Sequence, residues 1–76
     1  MTFQDALKKH LIQTGMTQTQ FAARIDRSQG YVSRLLKGEE TPSWKLAIDI
    51  ERATAGQVSK HLARPDVFGT REHHHG

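Results

Sequence analysis

Residues 17–37, TQTQFAARIDRSQGYVSRLLK, read as two short helices joined by a tight turn. Thr17 suits an N-cap, because its hydroxyl can accept from a free amide of the opening turn while Gln20, three residues on, bonds back. Met16 and Phe21 flank that box at hydrophobic-staple positions. Phe21, Ala22 and Ile25 share one helical face, and the small Ala22 leaves room for a second helix to cross closely. Val32, Leu35 and Leu36 give the second helix a matching apolar side. Asp26-Arg27-Ser28 is long enough only for a turn, and Ser28 is a natural N-cap for the second helix. Two helices joined so tightly meet at a steep angle, and such a pair can lay one of them in a nucleic-acid groove.

These residues resemble the Cro/CI class of phage and bacterial repressors. In that class the helix-turn-helix begins Thr-Gln and carries Ala five positions on, as Thr17, Gln18 and Ala22 do here. Val32 and Leu35 match the two apolar anchors of its recognition helix. Two positions depart from the pattern: Asp26 stands where Gly is usual and Arg27 where an apolar residue is usual. Asp visits the left-handed conformation at little penalty, so the turn is retained, while Arg27 gives up a core contact and offers a phosphate contact in its place. The resemblance covers roughly residues 3–64. It implies an all-α, compact five-helix lambda-repressor-like domain, with the helix-turn-helix formed by helices 2 and 3.

Charge points to the same stretch. From Thr17 to Gly38 four bases (Arg24, Arg27, Arg34, Lys37) face one acid (Asp26), whereas seven bases balance seven acids elsewhere. The surplus of +3 therefore sits in the proposed reading unit, which a polyanion would meet first. With 76 residues and no cysteine, the chain is expected to be one marginally stable domain lacking disulfides and Cys-based zinc sites. No apolar run approaches a membrane span, and MTFQDALKKH lacks the features of a secretion signal. A cytoplasmic, nucleoid-associated bacterial protein is expected, with no membrane partner.

Along the chain, Thr2 with Asp5 caps a first helix whose Phe3, Ala6, Leu7 and Leu11 form the apolar stripe, ending at Thr14 and a left-handed Gly15. Lys8, Lys9 and His10 are expected on its solvated part. Lys37-Gly38 closes the recognition helix, and the acidic loop Glu39-Glu40-Thr41 is expected to face away from phosphates. Pro42 is placed to open helix four, capped by Thr41 or Ser43, with Leu46, Ala47, Ile50 and Ala53 on the core. Trp44 fits that stripe poorly and is a candidate interface anchor or a lid over the core edge. Helix four ends at Ala55-Gly56, and Ser59 caps a last short helix. Arg64-Pro65-Asp66-Val67-Phe68 resembles the end of a prophage Cro-like group, some of whose members are paired with toxins. Pro65 should halt the helix and leave Val67 and Phe68 as an apolar hook. Residues 1–68 are assigned to the domain and 69–76 to a flexible tail. Its His73-His74-His75 run offers no fixed geometry or supporting shell, so no metal site is expected.

With helix three starting at Ser28, its exposed side presents Ser28, Gln29, Gly30, Ser33 and Arg34, the positions that enter the major groove in such folds. Gln29 can pair bidentately with adenine and Arg34 with guanine. Gly30 lets the backbone approach the bases. The family resemblance implies that Gln18 bonds a phosphate while bracing Gln29. Thr17 and Gln18, together with Arg27, Tyr31 and Lys37, are the backbone-contact candidates, and Ser43 and Lys45 can add a contact at the start of helix four. One such helix reads few base pairs, so a homodimer is expected, at least on DNA, over an inverted repeat. The function expected is repression at a double-stranded DNA operator without a cofactor. No constellation of an enzyme is present. The rival reading is a protein-interaction module, such as an antitoxin neutralising a toxin partner through Trp44, Val67 and Phe68.

Overall fold

The computed structural model describes residues 1–69. Within them the backbone is all-helical: α1 (Phe3–Thr14), α2 (Gln18–Arg24), α3 (Gln29–Lys37), α4 (Trp44–Ala53), α5 (Lys60–Ala63) and α6 (Pro65–Phe68). The tail from residue 70, with its three histidines, lies outside the described residues.

Local capping sets the boundaries of α1 to α5. The hydroxyls of Thr2, Thr17, Ser28, Ser43 and Ser59 each accept an amide of the following turn, filling donors that a helix start leaves unpaired. At Thr17 the box closes in both directions, since Gln20 Oε1 accepts from the Thr17 amide at 2.8 Å and Gln20 N donates to Thr17 Oγ1 at 3.1 Å. Gly15 and Gly38 end α1 and α3 at φ of 67° and 77°, a region open to glycine at no steric penalty. Helix four begins after Ser43, so Pro42 precedes the cap and is itself buried.

Phe21 is the largest of the fully buried side chains of the core. With it, Leu7 of α1, Val32 and Leu35 of α3, Leu46 and Ile50 of α4 and the connecting Val58 are all withdrawn from solvent. Thr54 fastens the end of α4: its hydroxyl donates to the Ile50 carbonyl at 2.9 Å and accepts from the Val58 amide at 3.0 Å. A buried hydroxyl with both roles filled carries no desolvation penalty, and it directs the chain from α4 toward α5.

Two expectations fail here. His10 is buried, not solvated: its Nδ1 pairs with Gln57 Oε1 at 2.7 Å and its ring meets Phe21 edge-on. The 3.6-residue period explains the placement, since position 10 follows 3, 6 and 7 on the core stripe whatever its polarity. The chain also does not stop being helical at Pro65, so the described residues hold six helices and not five. Proline occupies the first position of α6, where its missing amide loses nothing and its fixed φ favours a helix. Arg64, at φ −138° and ψ 70°, stays out of the helical region that a following proline disfavours and makes the corner. Val67 and Phe68 thus sit on a helical turn, with Phe68 packed against the core and Val67 about half exposed.

Candidate nucleic-acid interface

The connection between α2 and α3 is built from backbone chemistry. Asp26 takes φ 57°, and the next amide, of Arg27, reaches back to the Ala22 carbonyl at 2.9 Å. This left-handed closure satisfies a carbonyl at the end of α2 and sends the chain away at a sharp angle. Ser28 then starts α3, its Oγ accepting from the Tyr31 amide at 3.1 Å.

At about 100° per residue, Gln29, Ser33, Lys37, Gly30 and Arg34 fall within about 140° of the α3 circumference. Val32 and Leu35 turn to the core on the opposite side. Gln29 is exposed, and its Nε2 donates to Gln18 Oε1 across the pair at 2.6 Å. Each glutamine keeps one end of its amide for another partner.

Three side chains form the basic corner. The guanidinium carbons of Arg27 and Arg34 lie 5.9 and 5.8 Å from the centroid of the Tyr31 ring, within cation–π range. Arg27 also donates through Nη1 to the Asp26 carbonyl at 2.9 Å. Partial burial, followed by the nearby Glu40 carboxylate, pushes the Tyr31 phenol above its ordinary pKa, against the opposing pull of the two arginines. Tyr31 is therefore neutral at physiological pH and can donate its hydroxyl proton.

Glu40 is the residue that sequence reasoning misplaced. The left-handed Gly38 and the Glu39 amide, which returns to the Arg34 carbonyl at 2.9 Å, reverse the chain. Glu40 Oε1 consequently lies 3.6 Å from Arg34 Nε, so the Glu40 carboxylate faces this corner. Its signal in the sequence was only the short interval after Gly38, which polarity alone does not orient.

Gly30 has no internal requirement for glycine. A Cβ there would meet Arg34 Nη1 at 3.6 Å and Ser28 Oγ at 3.9 Å, ordinary contact distances. Ser33 and Lys37 line a groove of about 540 Å³ with Leu11, Ile12 and Met16, where Thr17 and Gln18 also contribute. Ser43 and Lys45 stand apart from this unit at the start of α4. The Ser43 hydroxyl is engaged by the Leu46 amide at 3.2 Å, and Lys45 Nζ lies 5.5 Å from the Trp44 ring centroid. Trp44 and Val67 remain 48% and 47% exposed, and Phe68 is half-buried beneath Lys60 Nζ at 5.1 Å. Among the described residues no three His, Asp or Glu side chains gather as a cation would require, and no helix is long and apolar enough to cross a membrane.

Comparison with known proteins adds one finding. A family model described as bacterial toxin YdaS, a phage-associated family of small proteins, matches residues 9–72. No curated protein and no solved structure matches the chain.

Proposed function

We propose that this chain, which belongs to the bacterial toxin YdaS family, is a sequence-specific double-stranded DNA-binding regulator. It works in the manner of the Cro/CI repressors, with α2 and α3 as its helix-turn-helix. The observation that carries the reading is the Gln18–Gln29 hydrogen bond on the exposed side of the pair. A solvent-accessible side-chain bond between an exposed and a half-buried glutamine adds little to folding, since water competes for it. It does fix the Gln29 amide in one orientation, which bidentate pairing with adenine requires.

In this reading Ser28, Gln29, Gly30, Ser33 and Arg34 face base edges. Thr17, Gln18, Arg27, Tyr31 and Lys37 hold the phosphates and sugars, fixing register without reading sequence. Ser43 and Lys45 contact the backbone at the margin. A two-fold dimer places two copies of α3 about 10 base pairs apart on an inverted repeat, and occupancy in the cytoplasm excludes polymerase sterically. The reading is non-enzymatic. Of the described histidines, His10 is engaged with Gln57, and the ring Nδ1 of His61 with the Gly69 carbonyl at 2.9 Å.

A second reading has its own support. The family description names a toxin, and Trp44 and Val67 stay exposed after folding, so a toxin–antitoxin role through a protein partner is the alternative. Selection of bound duplexes from a random library at about 150 mM salt, where non-specific attraction is already weakened, separates the two. An enriched inverted repeat is expected. Salt-sensitive binding without enrichment refutes the operator reading and leaves the partner-protein one.

A further inference from the structure

Glu40 stands where a DNA-binding face should avoid an acid. Its side chain is 39% exposed and that of Arg34 49%, and the closest approach between them is 3.6 Å to Arg34 Nε, an ion pair and not a hydrogen bond. The two terminal nitrogens are left over. The guanidinium also lies against the Tyr31 ring, and its Nη1 passes over the bare backbone of Gly30, 3.6 Å from where a Cβ would stand. Arg34 thus has a carboxylate nearest its Nε edge and an aromatic ring against its guanidinium, and its Nη1 lies over a residue without a side chain.

Resting on the DNA reading above, we propose that Glu40 is a specificity-determining positioning residue, which presents the Nη edge of Arg34 to a guanine and denies the same guanidinium to phosphates. The chemistry separates the two ligands. Guanine offers two neutral acceptors, O6 and N7, which two parallel N–H donors can meet while Nε stays with Glu40. A phosphate is an anion, and a carboxylate at Nε repels it and competes for the same charge. Binding to random duplex rests on phosphate contacts, so Glu40 weakens non-specific binding more than operator binding. An acid on the reading face then lowers total attraction while raising the ratio that matters among many competing sites.

The test uses the full chain and the substitutions E40Q, R34A and R34A/E40Q. Glutamine keeps the size of Glu40 and the site is at the surface, so helical content by circular dichroism should be unchanged. Affinity is measured against salt on a random duplex and on the duplex enriched from the library. E40Q is expected to bind random duplex about two- to fivefold more tightly, the scale of an exposed ion pair. Its log–log salt slope should steepen by about 0.9, one added phosphate contact. On the enriched duplex the slope should stay as it is and affinity should not rise, so the specificity ratio falls. In the R34A background E40Q should not steepen the slope. Equal tightening on both duplexes, or a steeper slope that persists without Arg34, overturns the role of Glu40 while leaving the operator reading intact. If the library yields no enriched duplex, the operator reading fails, and the proposal falls with it.

Discussion

Replacing Gln18 and Gln29 singly and together by alanine tests whether the bond between them serves binding or folding. Gln29 is exposed and Gln18 half-buried at the surface, so each variant should unfold in urea within about 0.5 kcal/mol of the parent chain. On the enriched duplex the position is different, because DNA excludes the competing water. On the proposed reading Gln29→Ala removes a bidentate base contact and should lose about 1–3 kcal/mol. Gln18→Ala removes a neutral hydrogen bond to Gln29, about 0.5–1.5 kcal/mol, as well as the phosphate contact proposed for it. Once Gln29 is gone the brace holds nothing, so the double variant should lose less than the sum by about 1 kcal/mol, roughly fivefold in affinity. Fluorescence anisotropy with labelled duplex at one fixed salt concentration resolves this. Additivity within about 0.3 kcal/mol would refute the coupling. A loss of more than about 1 kcal/mol in urea for Gln18→Ala would move the bond from recognition to stability.

His10→Ala removes the edge contact with Phe21 and leaves Gln57 without its partner, so it should destabilise the fold by about 1–3 kcal/mol; a loss under about 0.5 kcal/mol in a urea titration would return His10 to the solvated face. Asp26→Gly should raise stability modestly, by less than about 1 kcal/mol, because Asp takes a left-handed φ at a small penalty and glycine at none. With Asp26 at φ 57°, a clear fall in the melting midpoint would mean that its carboxylate contributes more than the strain it carries. Arg64 meets Asp66 with two hydrogen bonds, at 2.9 and 2.7 Å, which hold that carboxyl below its ordinary pKa. A depressed carboxylate stabilises the fold fully above its unfolded value, near pH 4, and the contribution is lost as pH falls through the lower folded value. Asp66→Asn should therefore flatten the stability–pH profile below about pH 4, and an unchanged profile would show that the pair does not bear on folding. Arg64 also donates to the Pro42 carbonyl at 3.1 Å, so Arg64→Ala is expected to loosen α6 from the loop before α4, seen as faster amide exchange at Val67 and Phe68.

What the sequence determined by itself was whatever closes within a turn of helix. Thr2, Thr17, Ser28, Ser43 and Ser59 each cap a helix because a hydroxyl meets an amide two or three residues away, with no reference to the rest of the chain. The left-handed turn at Asp26 and the apolar stripes of α2 and α3 are local in the same sense. Tertiary structure decided the rest. The helical period put His10 on the core stripe, but the polar partner that its buried ring needs came from Gln57, 47 residues away. Whether Pro65 ended a helix or began one depended on the corner at Arg64, tied to the Pro42 carbonyl. Glu40 reads in sequence as a solvated loop acid, and only the chain reversal at Gly38 brings it to the Nε of Arg34. Capping energies are fixed by neighbours in sequence, whereas the placement of a polar side chain is set by which surface the fold brings opposite it.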